Sequence, residues 1–136
     1  MSISISSDKN KLDITYIHQY LSEQSYWAKG RSIDVVRVSI DNSVCFGVYD
    51  NEKQIGFARV VTDYSVFAYI ADVFIDEKYR GQGLSKRLMS EILVHPDLQN
   101  ISQRWLLATL DAHGLYAQFG FKPLAEPQRF MDMKAK

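Results

Sequence analysis

Two glycines one residue apart mark the point where an apolar run gives way to an amphipathic one. Residues 80–85 read Arg-Gly-Gln-Gly-Leu-Ser, after the apolar residues 73–75 and before a helical pattern. The first backbone N–H groups of a helix have no intrahelical partner, and the helix dipole makes them attractive to anions. Glycine at positions 81 and 83 removes the Cβ atoms that would keep an anion from the backbone. The segment therefore predicts a site for a phosphorylated cofactor.

Neither common nucleotide-binding motif fits this segment. The pattern G-x-x-x-x-G-K-[ST] is missing, so the segment has no lysine to reach β- and γ-phosphates, which disfavours a nucleotide-binding module. The pattern G-x-G-x-x-G fails because position 86 is Lys86. Glycine before a helix often does no more than reverse the chain, so these residues need support from the surrounding sequence.

That support comes from two segments that resemble one family, the GNAT acetyltransferases. Residues 80–85 resemble its R/Q-x-x-G-x-G/A pyrophosphate motif, with Ser85 in place of the usual Gly or Ala, and residues 71–79 resemble its fourth strand and the following loop. Residues 109–121, T-L-D-A-H-G-L-Y-A-Q-F-G-F, are similar to its N-x-x-A-x-x-x-Y-x-x-x-G-F segment, with Thr109 where Asn is common. The matches occur in the family's order and together cover about residues 60–122.

The resemblance implies an α+β fold with one domain over residues 1–136. Its central sheet is mixed and mostly antiparallel, is flanked by helices, and has splayed fourth and fifth strands that form the cofactor cleft. The apolar pattern predicts the same order of elements. These are a strand at 2–6, a helix capped by Asp13, a helix capped by Ser32, strands at 44–49, 54–61 and 66–75, a helix from about Gly81 to Val94, a central strand at 105–110, a helix from Asp111 to Gly120, and one or two strands after Phe121.

The same resemblance implies acetyl-CoA as the acyl donor and names its contacts. Backbone groups of Val73, Phe74 and Ile75 would meet the pantetheine arm like an added strand. The remaining cofactor contacts are Arg80, Gly81, Gln82, Gly83, Leu84, Ser85, Thr109 and Tyr116. Tyr116 resembles the tyrosine that donates a proton or hydrogen bond to the departing sulfur, which a phenol with a pKa of about 10 can do at neutral pH. Its flanking Ala112 and Gly120 favour this role over core packing.

A general base is expected because amine acceptors are mostly protonated at neutral pH. Asp72 lies within an apolar strand, where an unpaired charge is costly, so it is either the catalytic base or the acceptor of a structural hydrogen bond. His113 is a weaker candidate base, and Asp111 is expected to be a charge at a helix start. A water chain is a further route for the proton.

Cys45 raises the alternative of an acetyl-cysteine intermediate. No base stands beside it in the sequence, and a free cysteine is most often a small buried apolar side chain. We therefore expect direct attack of the amine in a ternary complex. The three histidines are dispersed and show no zinc-like spacing, so no metal is expected.

The acceptor side is predicted in the loop between the first two helices, where the family resemblance places acceptor contacts. Tyr26 and Trp27 would wall a cavity there, and Arg31 would bind a carboxylate. The alternative is that Trp27 only covers the edge of the core. The acceptor is expected to be a small-molecule or peptide amine.

Composition limits the function further. Lys and Arg together number 16, as do Asp and Glu, so no strong field favours nucleic acid or an anionic membrane surface as a partner. The single cysteine excludes an internal disulfide, no apolar run is long enough for a membrane span, and the N-terminus lacks the pattern of a secretion signal. A cytoplasmic location is predicted. A non-catalytic acyl-CoA-binding regulatory domain is the alternative function, and the choice between monomer and homodimer stays open.

Overall fold

A five-stranded sheet runs through the molecule, in a computed structural model that describes residues 1–135. Its strands lie side by side in chain order: β1 (Ile3–Ser6), β2 (Val44–Asp50), β3 (Lys53–Thr62), β4 (Phe67–Ile75) and β5 (Arg104–Leu107). The strands from β1 to β4 pair with one another in antiparallel fashion, and β5 is parallel to β4. The predicted α+β class and mixed, mostly antiparallel sheet are confirmed.

Four helices flank the sheet: α1 (Ile14–Gln19), α2 (Ile33–Asp41), α3 (Leu84–Val94) and α4 (His113–Ala117). A π-helical turn at Tyr20–Gln24 extends α1. Asp13 and Ser32 cap α1 and α2 as predicted, because their side chains accept hydrogen bonds from backbone N–H groups three residues ahead. None of the helices within residues 1–135 has the length and apolar composition that crossing a membrane requires.

The sheet has a separate apolar core on each face. On one face, the buried stripe of α3, Leu88, Met89 and Ile92, packs with residues of the central strands. On the other face, Ile17 and Val36 from α1 and α2 lie in a second cluster. Both faces of β2, β3 and β4 are therefore covered, which explains their nearly continuous apolar sequences.

Two predicted elements are wrong. Residues 105–110 were expected to form a central strand, but β5 ends at Leu107, lies at the sheet edge and pairs only with β4. An apolar run cannot show how many neighbours a strand has, and three of the four residues of β5 are half-buried. No strand forms within residues 121–135, where Pro123 and Pro127 lack the N–H groups that a ladder needs.

The edge between β4 and β5 opens half-way along β4. The pairing ends at Ile70 and Leu107, so residues 71–75 have no strand partner on this edge. The predicted splay of the fourth and fifth strands is confirmed, and the unpaired half of β4 forms one wall of a cleft.

Candidate active site

Asp72 lies at a β-bulge in the open half of β4. Arg59 of β3 pairs with Ala71 and Phe57 pairs with Phe74, so Ala58 faces two residues of β4. Asp72 has a φ of 53°, in the left-handed region that few residues other than glycine, asparagine and aspartate adopt. The bulge directs its carboxylate towards the side of the sheet that α1 and α2 cover.

Three side chains donate hydrogen bonds to the Asp72 carboxylate. Trp27 Nε1 lies 2.8 Å from Oδ1, while Arg31 Nη1 and Arg59 Nε lie 2.9 and 2.6 Å from Oδ2. Burial pushes the pKa of Asp72 upward, but the hydrogen bond and charge of Arg59, the Trp27 hydrogen bond and the charge of Arg31 together leave that pKa below its usual value. Asp72 is therefore a buried, ionised and fully engaged carboxylate.

A cavity of about 570 Å³ lies beside the bulge, between the open half of β4 and the chain that follows β5. It brings together seven of the predicted site residues: Tyr26, Trp27, Arg31, Asp72, Val73, Thr109 and Tyr116. The two predicted acceptor and cofactor sides thus share one continuous space.

Tyr116 lies on α4 at the wall opposite β4. The residue is only 8% exposed, and its hydroxyl forms no hydrogen bond with any of residues 1–135. Burial, and then the neighbouring Tyr26 and Asp111, raise the pKa of the phenol. Tyr116 is therefore protonated at neutral pH and has a free hydrogen to donate into the cavity.

Tyr26 and Trp27 reach across the cavity from the segment between α1 and α2. The Tyr26 hydroxyl accepts a hydrogen bond of 3.0 Å from the backbone N–H of Leu110, which follows β5. The two aromatic rings meet edge-on with centroids 5.0 Å apart. Trp27 is 39% exposed, so it lines the cavity instead of being sealed within the core.

The predicted phosphate loop lies where β4 leads into α3. Gly81 and Gly83 have φ angles of 80° and 76°, and an added Cβ would meet no atom within 4 Å at either position. None of the backbone N–H groups of residues 81–86 has a hydrogen-bond partner within the described chain. Six unpaired donors beside a helix start, with open space where a Cβ would stand at the two glycines, fit a pyrophosphate group.

Arg80 fixes the shape of this loop. Its Nε donates to the Ile75 carbonyl at 3.1 Å, and its Nη2 donates to the Tyr20 hydroxyl at 2.6 Å. Tyr20 in turn stacks on Phe74 of β4, with ring centroids 3.8 Å apart. The loop is thereby held to both α1 and the open half of β4, while the contact of Arg80 with phosphate stays a prediction.

The other predicted cofactor contacts differ in whether their backbone or their side chain is available to a ligand. The side chains of Phe74 and Ile75 are buried in the two cores, so only their backbone is available to a ligand. The Thr109 hydroxyl accepts a hydrogen bond of 3.0 Å from the Ala112 N–H at the start of α4. Its own hydrogen remains free to donate.

Comparison with known proteins supports one family. The sequence model described as "Acetyltransferase (GNAT) domain" matches residues 41–123. The N-acetyltransferase ycf52 of Gracilaria tenuistipitata var. liui is 32% identical in an alignment of 126 residues that covers 79% of this chain and 69% of that protein. The chain belongs to the GNAT acetyltransferase family.

Solved structures of GNAT proteins agree with this assignment. A GNAT-family acetyltransferase from Xanthomonas campestris pv. campestris is 45% identical, with a TM-score of 0.94 over 99% of this chain and 94% of that one. An acetyltransferase from Clostridium acetobutylicum, crystallised with acetyl-CoA, is 15% identical with a TM-score of 0.71 over 98% and 96% of the two chains. At that identity the second structure shows a shared fold alone.

Sequence reasoning missed Arg59, although this residue lies at the centre of the candidate site of this GNAT protein. Arg59 interrupts the apolar strand β3 as Asp72 interrupts β4, and buried charges are usually paired. That rule would have been enough to search for the partner of Asp72 among the neighbouring strands. Asp111, expected only at a helix start, also lines the cavity.

Cys45 lies outside the cavity and is 1% exposed. Burial raises the pKa of its thiol to about 11, and Sγ lies near the carbonyl oxygens of Ile40 and Ser43, at 3.6 and 3.7 Å. The thiol is therefore neutral and enclosed. Among residues 1–135, no group of three His, Cys, Asp or Glu side chains is placed to hold a metal ion.

Proposed function

We propose that this GNAT acetyltransferase moves an acetyl group from acetyl-CoA to the primary amine of a small molecule or peptide, by direct attack in a ternary complex. One observation carries the proposal. The open edge of β4 runs from the cavity that Tyr116 lines to a loop with six unpaired backbone donors. An extended ligand with a phosphate group at one end and a reacting group at the other matches this arrangement.

The residues present fit the proposed donor. The N–H groups of residues 81–86 would hold the pyrophosphate. The edge of β4 at Val73, Phe74 and Ile75 has no strand partner on the β5 side and would bind the pantetheine arm, with the Ile75 carbonyl already accepting a hydrogen bond from Arg80 Nε. An added Cβ at Gly81 or Gly83 would meet no atom within 4 Å, so the loop is open to a ligand.

Acetyl-CoA supplies an acetyl thioester, whose C–S bond breaks as the amine nitrogen bonds to the carbonyl carbon, so the amine loses a proton and the sulfur gains one. In this proposal Tyr116 provides the proton that the sulfur gains, or a hydrogen bond in its stead. Its raised pKa keeps the phenol protonated, and its hydroxyl is unengaged within the described residues. A group of this kind typically contributes about 10²–10⁴-fold to the rate.

The contacts of Asp72 support the second of the two roles that the sequence leaves open. A carboxylate with a lowered pKa and three donors is a weak proton acceptor, because protonation would break its ion pairs. Asp72 instead holds Trp27 and Arg31 against the bulge and so shapes the acceptor side. The amine proton would then pass to water, and the exposed Asp111 is the other carboxylate that lines the cavity.

The state of Cys45 supports direct attack. An acetyl-cysteine would need a thiolate that reaches the thioester, whereas this thiol is buried, has a raised pKa and does not line the cavity. In the proposed mechanism the amine therefore attacks the thioester itself, with both substrates bound together.

The decisive experiment measures free thiol release from acetyl-CoA in the presence of amines, amino acids, polyamines and peptides, with mass spectrometry of the acetylated product. Calorimetry of acetyl-CoA binding accompanies it. Amine-dependent release with a matching acetylated product supports the proposal. Binding of acetyl-CoA without release on any amine would favour a domain that only binds acyl-CoA. A cytoplasmic location remains a prediction from the sequence.

A further inference from the structure

We infer that the acceptor carries a carboxylate a few bonds from its amine, and that Arg31 and Arg59 bind this carboxylate. The inference rests on the proposed acetyl transfer and names the class of amine that the cavity selects. Its basis is a pair of guanidinium groups that share one buried carboxylate and keep unused donors beside the cavity.

The donors can be counted atom by atom. Arg31 uses Nη1 for Asp72, and Arg59 uses Nε for Asp72 and Nη1 for the Ser43 hydroxyl at 3.2 Å. Nε and Nη2 of Arg31 and Nη2 of Arg59 have no hydrogen-bond partner within residues 1–135. Both arginines line the cavity, and their side chains are 22% and 15% exposed, against 2% for Asp72. The unused donors thus belong to side chains that a ligand can reach.

Charge points to the same ligand. The guanidinium groups of Arg31 and Arg59 share the single carboxylate of Asp72, so this side of the cavity carries one net positive charge. Asp111 is the fourth charged residue of the cavity, and it lies near enough to Tyr116 to raise the phenol's pKa. An amino acid-like molecule complements both walls, because its carboxylate would face the arginines and its ammonium group would face Asp111.

Asp72 holds the side chains of both arginines in place before a ligand binds. It holds one nitrogen of each at 2.9 and 2.6 Å, so little side-chain freedom is left to lose when a ligand binds. Arg31 and Arg59 both contact Asp72, which lies in the half of β4 that has no partner on the β5 side and along which the thioester is proposed to lie. A carboxylate bound there holds an amine a few bonds away next to the reacting carbon.

The residual positive charge of the two arginines and Asp72 matches a singly charged carboxylate better than a doubly charged phosphate.

The test compares matched acceptors with the whole protein and acetyl-CoA. The pairs are glycine and glycinamide, β-alanine and β-alaninamide, and 4-aminobutanoate and its amide, with aminoethyl phosphate, alkylamines, polyamines and peptides alongside. At least one acid is expected to exceed its amide in kcat/KM by about tenfold or more, the effect of one charge-assisted hydrogen bond pair. Calorimetry without acetyl-CoA should show tighter binding of that acid than of its amide.

Variants assign the effect to the arginines. Arg31→Gln and Arg59→Gln should each lower the acid-to-amide ratio about tenfold, and Arg31→Lys should restore part of it, because lysine keeps the charge but not the planar fork. The ratio is taken within one protein sample, so a fraction that fails to fold cancels. Arg37→Gln is the control, since Arg37 lies on α2 with a 59% exposed side chain and only a 3.9 Å pair with Asp34.

The possible results distinguish failure of the carboxylate site from failure of the proposed acetyl transfer. Equal turnover of acids and amides, or an unchanged ratio in both glutamine variants, would overturn the carboxylate site and leave acetyl transfer intact. Preference for aminoethyl phosphate over every amino acid would overturn the class of ligand. No thiol release on any amine would overturn the proposed acetyl transfer together with this inference.

Discussion

Arg59 of β3 and Asp72 of β4 form a 2.6 Å ion pair between two strands that are otherwise largely apolar. The pair lies at the bulge, and the same carboxylate holds Trp27 and Arg31. The segment between α1 and α2, which is proposed to wall the acceptor side, is therefore attached to the strand whose open edge forms the cleft. Loss of this one carboxylate should disturb both stability and acceptor binding.

Asp72→Asn should lower the free energy of unfolding by about 3 kcal/mol at pH 7, because it leaves Arg59 partly buried without its counter-charge. The pKa of Asp72 is lowered in the folded protein, so its contribution is present above the unfolded pKa of about 3.9 and is lost as pH falls through the folded value. Urea unfolding at pH 7 and in acid should show the difference shrinking. Asp34→Asn, at an 89% exposed side chain, is the control. Equal stability at pH 7 would contradict a structural role.

Gly83→Val should weaken acetyl-CoA binding at least about tenfold, the cost of one lost charge-assisted hydrogen bond. The valine side chain would occupy the open space in front of the loop amides and strain a φ of 76°. Gly30→Val is a matched control, with the same φ and equally open surroundings but outside the loop. Calorimetry measures both, after circular dichroism has shown that they are folded. Unchanged affinity in folded Gly83→Val would refute the phosphate loop.

Tyr116→Phe should lower kcat by about 10²–10⁴-fold with little change in acetyl-CoA affinity, since only the hydroxyl is removed. Because burial raises the phenol's pKa above its ordinary value of about 10, the native enzyme should lose no activity through Tyr116 ionisation below that pH. Tyr64→Phe is the control, because Tyr64 is 54% exposed in the β3–β4 turn. Single-turnover kinetics make the comparison, and an unchanged chemical rate would reduce Tyr116 to a packing residue.

Trp27→Ala should raise the acceptor's KM and leave acetyl-CoA affinity unchanged, because Trp27 lines the cavity away from the phosphate loop. Its 39% exposure predicts a stability loss below the 3–5 kcal/mol typical of a fully buried aromatic, about 2 kcal/mol. Trp27→Phe keeps an aromatic wall but removes the hydrogen bond to Asp72. Two-substrate kinetics with thermal melts distinguish the roles: a large fall in Tm with a normal acceptor KM would assign Trp27 to the core.

Cys45→Ala should retain near-native kcat, because the thiol is buried and outside the cavity. In the folded protein the thiol should react with a disulfide reagent only slowly at pH 8, since its pKa is about 11. Thiol titration before and after denaturation measures this directly. Trapping of an acetyl-cysteine by mass spectrometry would contradict direct attack.

Local sequence patterns predicted several structural features around the candidate site. The helix caps at Asp13 and Ser32, the two glycines before α3 and the spacing around Tyr116 each depend on residues close together in the chain. Their conformations follow from short-range sterics and hydrogen bonds, so the sequence alone predicts them well. The two-sided burial of β2, β3 and β4 is also visible in their composition.

The tertiary structure alone decided how distant segments meet. The position of β5 at the edge of the sheet depends on how many strands pair with it. The absence of a strand within residues 121–135 likewise depends on which strand edges are left for pairing. The bulge at Asp72 arises from a shift of register between β3 and β4, which the period of a single strand does not encode. Arg59 and Asp72 are each conspicuous charges in apolar strands, but their pairing is a long-range contact. The structure shows the pairing because the sheet sets both side chains on one face. Burying either charge without the other would cost too much free energy.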